Sequence, residues 1–441
     1  MISPRHSERR VVITGLGVVS PIGNDVETMW QSLVEGRSGV SILSSTNGDG
    51  ATAACAGEAK AFRGEIDDFG PLEAGLKKAI RKGIKLMNRE TQMAVAAAQH
   101  ALHDSGLMIG SPDPERIGVC FGAGFVSMLP EDFLAGVSCC TNSDAEFDFD
   151  RWGQEGLNQV APLWLLKCLP NMPACHIAIY NDLRGPNNSI TQREAAANLA
   201  VAEARNLIAD RMADAMVVGA TGTTLLPFNR LHTLMEEDVA AAGDDPTKAC
   251  RPFDRNRSGA VISEGAGAVI LEDLDSALDR GAQIYGEIVG AGSSCVVDRE
   301  YVPRCDRALA NAIRMALRNA RLPPEAVGHV HAHGLSTRRS DRQEARAIRD
   351  VFGKRAERLP VVAAKSHMGN AGAGGGAIEL VASLMALNKG KLFPVLNYSD
   401  PDPDCPISPV TSADVEAGQS FLNLSMLPQG QASCVAVRTM D

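Results

Sequence analysis

Three segments of the 441-residue chain carry side chains able to do chemistry at close range. The first runs from Leu183 through Gly185-Pro186 to Thr191-Gln192-Arg193-Glu194, at the head of an alanine-rich stretch. A helix N-terminus there offers free backbone N–H groups and a partial positive charge, a good seat for a thiolate or a carboxylate. The second is His331-Ala332-His333-Gly334-Leu335-Ser336-Thr337. A histidine between a strand and a small-residue loop can relay a proton or donate a hydrogen bond. It can equally be a core histidine satisfied by backbone. The third, Ala364 to Gly372, sets Lys365 among small residues and reaches Asn370. A buried lysine needs a partner, and Glu379 is one candidate.

These residues need rigid elements to hold them. Val11 to Thr14, running into Gly15-Leu16-Gly17, reads as a strand buried on both faces. A similar segment returns at Ile284 to Gly292, roughly half a chain later, as in a duplicated α/β domain. Helices are expected over Asn88–Ser105, Glu194–Asp210 and Gly376–Asn388, with a strand at Ala215–Gly219. The second helix is apolar nearly all round, so it should be buried. Alternating strands and helices predict a layered α/β fold. Residues 47–69 and 127–156 read as less regular, the latter as a loop-rich insertion near a mouth or an interface.

Some patterns resemble sites but lack their partners. Gly15-x-Gly17 follows a strand, yet Ser20 replaces the third glycine of a dinucleotide loop. Gly369 to Gly376 lacks the Lys-Ser/Thr of a phosphate loop. His331 and His333 as a metal pair would need cysteine or carboxylate partners that the sequence does not name. The eleven cysteines are scattered, with no C-x-x-C pair, and read as thiols in a reducing cytosol. A net charge of −10 argues against a nucleic-acid partner. It would require a local basic patch before an acidic carrier protein could dock. No signal peptide and no membrane span is read, so a cytoplasmic location is expected.

Taken together, the motifs resemble a β-ketoacyl-acyl-carrier-protein synthase of the chain-elongating type, over nearly the whole length. The resemblance is carried by Val11–Gly17 with Ser20-Pro21-Ile22-Gly23, Asn171-Met172, Gly185-Pro186 and Arg251-Pro252-Phe253-Asp254. Glu264-Gly265-Ala266-Gly267, His333-Gly334 with Ser336-Thr337, and Lys365-Ser366 continue it in family order. It implies a thiolase-like five-layer αβαβα fold of two similar halves, placed here at 1–275 and 276–441. It also implies dimer contacts around Asn171 to Asn188, an acyl carrier protein as partner, and no cofactor or metal. The family's chemistry uses a cysteine nucleophile, two histidines and an oxyanion hole of backbone amides.

By this resemblance Glu194 stands at the cysteine position. His333 keeps the first histidine, and Asn370 replaces the second, as in the chain-initiating branch. Lys365 keeps its place beside the site. The substrate pocket would be lined by Leu335, Thr337 and Leu427, with Leu335 replacing a threonine and Leu427 a gating phenylalanine. Pro428 and Gln429 stand where the family has glycines, and Pro428 has no N–H to donate. Glu194 has a structural alternative, since Thr191-x-x-Glu194 has the form of a capping box. A general base, or a charge mimic of a bound acyl group, is the chemical one.

Three functions remain open at this level. The first is a condensation-inactive, chain-length-factor-like subunit paired with an intact synthase, or a homodimer. The second is a non-covalent decarboxylase or hydrolase of carrier thioesters. The third is an acyl-chain binding protein. A relocated nucleophile would have to come from a distant thiol such as Cys168 or Cys175.

Overall fold

Every residue of β1 (Val11–Val19) is buried, as an unbroken apolar run predicts for a strand covered on both faces. The structure is a computed structural model and describes residues 9–43, 55–109, 112–125, 128–241 and 243–440. Part of the irregular stretch expected at 47–69, and Ser127, therefore lie outside the described residues. In the first half, β1 is followed by β2 (Ile117–Ala123), β3 (Asn187–Thr191), β4 (Ala215–Thr223) and β5 (Ile262–Asp273). The second half holds β6 (Gly286–Cys295), β7 (His329–His331), β8 (Pro360–Val362), β9 (Ser408–Pro409), β10 (Ser420–Met426) and β11 (Gln431–Arg438).

The strands line up as β9-β8-β7-β10-β11-β6-β1-β5-β4-β2-β3. The pairing repeats. β1 is antiparallel to β5, β5 to β4, and β2 runs parallel to both β4 and β3. Likewise β6 is antiparallel to β11, β11 to β10, and β7 runs parallel to both β10 and β8. The two halves join where Val12 and Ile13 of β1 meet Glu287 and Gly286 of β6.

Eight helices matter for the site and its surroundings. They are α1 (Ala74–Gly83), α2 (Arg89–Ser105), α3 (Met172–Asn181), α4 (Ala196–Ala209), α5 (Pro227–Glu236), α6 (Cys305–Ala320), α7 (Arg338–Phe352) and α8 (Ala373–Lys389). Side chains alternate across the sheet, and that alternation sorts the layers. Val119 and Phe121 of β2 pack with α2 and α3, while Cys120 between them packs with α4 and α8. Leu422 and Leu424 of β10 pack with α6 and α7, while Phe421 faces the centre. Helices thus cover both outer faces, and α4 and α8 fill the space between the halves. This is the thiolase-like αβαβα fold. Residues 373–387 of α8 are all buried.

The Gly-x-Gly pattern of β1 has a packing explanation. A Cβ on Gly17 would lie 2.0 Å from the carbonyl oxygen of Ala97 in α2. In the second half, a Cβ on Gly292 would lie 2.2 Å from the carbonyl oxygen of Ala312 in α6. The glycines let each outer helix seat directly on its strand, and no dinucleotide loop is needed to account for them.

Two local expectations are corrected. The segment 128–156 is more regular than a loop-rich insertion, since Glu131–Cys139 is a helix and Phe149–Gly156 continues helically. The last buried helix begins at Ala373, three residues before Gly376.

Candidate functional site

Parallel pairing brings the second and third chemical segments together. His331 of β7 sits opposite Val362 of β8, so the chain leaves both strands at the same edge of the sheet. His333 and Lys365 follow within three residues, and the Lys365 ammonium lies 3.4 Å from His333 Nδ1. Both side chains are 2% exposed or less in the folded chain. Lys365 also ion-pairs with Glu379 of α8, the partner expected for it. Burial pushes the Glu379 carboxyl up and the Lys365 charge opposes the shift.

Protonation at His333 follows from its neighbours. Burial holds its pKa well below the ordinary value, helped by the charge of Lys365, so the ring is neutral. An ammonium has only protons to give, so Nδ1 accepts from Lys365 and the ring proton resides on Nε2. No described residue hydrogen-bonds to that nitrogen. His333 therefore presents an N–H donor, suited to an oxygen that gains negative charge.

The loop carrying His333 is pinned by two carboxyls that the sequence reading did not single out. Glu344 of α7 accepts from the backbone N–H groups of His333 at 2.6 Å and Gly334 at 2.8 Å. Asp341 accepts from the N–H of Ser336 and of Phe253. Burial pushes Glu344 up to about 8 and Asp341 up to about 6, against the pull of these donors. The signal available was their placement one turn apart on a helix that begins directly after the loop. Thr337 is the N-cap of α7, its hydroxyl accepting from Ser340 N–H at 3.2 Å. Leu335 is buried in the same loop. His331 is structural. The Ala364 N–H donates to its Nε2, and its Nδ1 donates to Ser383, so both ring nitrogens are committed.

Glu194 enters from the other half. It is 5% exposed and lies in a single turn, Arg193–Ala195, just ahead of α4. The capping-box expectation is not met. Thr191 ends β3, and neither this turn nor α4 has a side-chain cap. Instead Asn370 Nδ2 donates to Glu194 Oε1 at 3.1 Å. Glu194 Oε2 lies 3.3 Å from Arg193 Nε, within ion-pair reach but without hydrogen-bond geometry. The amide expected to replace the second histidine is thus spent on the carboxylate expected at the nucleophile position. Arg193 itself is left-handed, with φ +46°, a conformation that costs a non-glycine residue about 1–2 kcal/mol.

The turn between β10 and β11 closes the site. Leu427 N–H donates to Gln431 O at 2.8 Å, and Gly430 N–H donates to Leu427 O at 3.1 Å. Leu427 has its N–H engaged inside the hairpin, and Pro428 has none. The space left is small. A cavity of about 20 Å³ touches Glu194, Arg193 and Phe125. Another of about 10 Å³ touches His333, Leu427, Pro428, Glu237 and Cys305. Each has room for about one water molecule. Wider clefts of about 730 and 840 Å³ are lined by neither Glu194 nor His333.

Cys168 and Cys175 line neither small cavity; Cys305, the first residue of α6, lines the second. Its thiol donates to Leu427 O at 3.2 Å, and burial pushes its pKa up despite the nearby charge of Arg339. Nothing local marks Cys305, because its proximity comes from the meeting of α6 with a hairpin 122 residues away.

This fold and this site define a condensing-enzyme scaffold, and the chain belongs to the β-ketoacyl synthase family. Residues 8–277 match the family's N-terminal domain and residues 285–399 its C-terminal domain. The chain is 35% identical to the 3-oxoacyl-[acyl-carrier-protein] synthase 2 of Synechocystis sp., covering 94% of this chain and 95% of that one. It is 32% identical to the synthase 2 of Staphylococcus aureus, covering 97% and 98%. Among solved structures it resembles a β-ketoacyl synthase from Burkholderia phymatum, with TM-score 0.84, 25% identity, and 98% and 100% coverage. It also resembles the ishigamide ketosynthase/chain length factor, with TM-score 0.80, 27% identity, and 99% and 100% coverage.

Proposed function

We propose that this protein is a condensation-inactive subunit of fatty acid or polyketide biosynthesis, paired in the manner of a chain length factor with an intact synthase. The observation that carries this reading is the state of Glu194. A carboxylate is a poor nucleophile toward a thioester, because attack gives a labile anhydride. Here it is also buried, bonded to Asn370 and bridged by Arg193. The hairpin that would complete an oxyanion hole has its Leu427 N–H occupied and a proline beside it. Two groups needed for acyl transfer are therefore out of service, while the scaffold is intact. The outer edge of β3, exposed at Asn187 and Asn188 and unpaired among the described residues, offers main-chain groups to a second subunit. Likeness to the ishigamide ketosynthase/chain length factor supports the same reading.

The test is affinity purification from the producing organism, with mass spectrometry of what co-purifies. Stoichiometric recovery of a synthase subunit bearing its cysteine is the expected result. A homodimer that condenses acyl groups alone would end the proposal.

A second reading has its own support in His333. Decarboxylation of a malonyl thioester needs a donor for the enolate oxygen and exclusion of water. The neutral, Nε2-protonated His333 is such a donor. This reading expects carbon dioxide release from malonyl-carrier by the purified chain, lost in His333→Ala.

A further inference from the structure

Charge is unevenly spread along the chain. Residues 305–358 hold twelve lysines and arginines against six acids, so this segment is +6 while the whole chain is −10 and its remainder −16. Eleven of the twelve cations are arginine. Two of the acids, Asp341 and Glu344, are buried and turned inward to the His333 loop. The segment includes α6 and α7, which lie side by side on the outer face of the second half, where Arg314 of α6 ion-pairs with Asp350 of α7 at 2.7 Å. Arg318 and Arg321 close α6, Arg346 lies on α7, and Lys354 and Arg358 follow it. All five are exposed and form no salt bridge among the described residues.

The chemistry of this face narrows what it can meet. Guanidinium groups present forked N–H donors that match the oxygens of a phosphate. The two helices, of 16 and 15 residues, spread them over a face about 20–25 Å long. None of those five cations lines the clefts and cavities described above, so the face suits a broad anionic surface rather than an enclosed small ligand. A stable protein interface has an apolar core inside a polar rim, and the one large apolar side chain exposed on these helices is Met315, at 41%. Single-stranded nucleic acid binds through aromatic platforms, and the one aromatic residue of α6 and α7, Phe352, is buried. A bilayer asks for neither. It offers closely spaced lipid phosphates to clustered cations, and its headgroups admit a single apolar side chain and the arginine stems.

We propose that the arginine face of α6 and α7 docks the protein peripherally on bilayers rich in anionic phospholipid. The contact is electrostatic, with Met315 as its apolar anchor. It fits a chain in which no described helix is long and apolar enough to cross a membrane. The acidic remainder of the chain is repelled by the same bilayer, which fixes the orientation. Helix α7 then works on both sides, its inward carboxyls holding the His333 loop and its outward arginines holding lipid phosphate. The inference is independent of the synthase pairing proposed above.

Flotation of the full-length protein with vesicles tests this. Vesicles of phosphatidylcholine alone are compared with vesicles carrying about one-third phosphatidylglycerol, at about 0.05 M and about 0.5 M salt. At low salt the protein should float with the anionic vesicles at least about tenfold more than with the neutral ones, and it should release at high salt. Arg318→Glu/Arg321→Glu/Arg346→Glu should lose at least about tenfold of that binding while keeping its melting temperature. The milder Arg318→Gln/Arg346→Gln/Lys354→Gln should lose about threefold or more, and it carries the test should the first variant fold poorly. Lys78→Glu/Arg81→Glu/Lys82→Glu reverses a basic patch on α1 and should float as the unaltered chain does. Failure to bind anionic vesicles, undiminished binding by the folded arginine variants, or an equal loss in the Lys78 variant would overturn the proposal. So would tighter binding of double-stranded DNA or acyl carrier protein than of vesicles through the same arginines.

Discussion

Lys365 and Glu379 meet in the interior, with side chains 2% and 0% exposed. Each depends on the other, so losing one partner leaves an uncompensated buried ion, at a cost of about 3–5 kcal/mol. Lys365→Met and Glu379→Leu should each lower the urea-unfolding free energy by about that amount. The double variant should recover most of the loss, because an apolar pair of similar volume needs no solvation. The same ammonium sets the tautomer of His333, so the double variant should also shift the ring's nitrogen-15 chemical shifts. A purely structural pair would leave them alone. Glu237 offers a pH test. Burial, and then the charge of Glu194, push its carboxyl up to about 7. A raised carboxyl binds its proton more tightly when folded, so its contribution to stability is complete below about 4.5 and fades as pH rises through 7. Thermal melts of Glu237→Gln should therefore lose less stability between pH 5 and 8 than those of the unaltered chain.

At the scale of elements, glycine spacing decides how closely helices seat on strands. Gly17→Ala and Gly292→Ala force a methyl against helix backbone in equivalent places of the two halves. Each should cost about 1–3 kcal/mol by urea denaturation, the range for overpacking in a tight interior. If the halves are true structural counterparts, the two losses will be similar. These positions also show what could be read before the structure. The apolar run of β1 announced a strand buried on both faces, and its likeness to the segment at β6 suggested a duplication, although β6 itself is only partly buried. The pairing of Lys365 with Glu379 was legible from two charges in otherwise small or apolar surroundings. The capping-box alternative for Glu194 rests on Thr191-x-x-Glu194, which fits a local rule. The local rule lost to a long-range one, since β2 takes Thr191 into a strand and Asn370, 176 residues away, takes the carboxylate. Cys305 was missed for the same reason, since its partner lies in a hairpin 122 residues away and leaves no trace in periodicity or composition. Glu344 and Asp341 instead hold the loop just ahead of their own helix, 5 to 11 residues upstream.

At the scale of the whole molecule, charge limits the choice of partners. The chain carries a net charge of −10, and an acidic carrier protein would be repelled by such a surface on average. In the first half, helix α1 is the local exception. It carries Lys77, Lys78, Arg81 and Lys82, with Lys85 just beyond it. Lys77 is paired with Asp67 at 2.6 Å, whereas Lys78, Arg81, Lys82 and Lys85 are exposed and form no salt bridge among the described residues. Three such cations on one short helix and a fourth in the turn after it make a compact positive patch on an acidic body. Such a patch steers an acidic partner to one place and speeds its arrival more than it tightens the final contact. Reversing Lys78, Arg81 and Lys82 to glutamate should slow association with acyl carrier protein by about tenfold or more at low salt. The rate of dissociation should change less. The unaltered protein should lose that advantage as ionic strength rises past about 0.15 M, where screening reaches about 8 Å, and the reversed variant should show little salt dependence. Stopped-flow or surface-binding measurements across a salt series separate these outcomes. Equal rates and equal salt slopes for the two proteins would remove α1 as the docking face and place the carrier elsewhere.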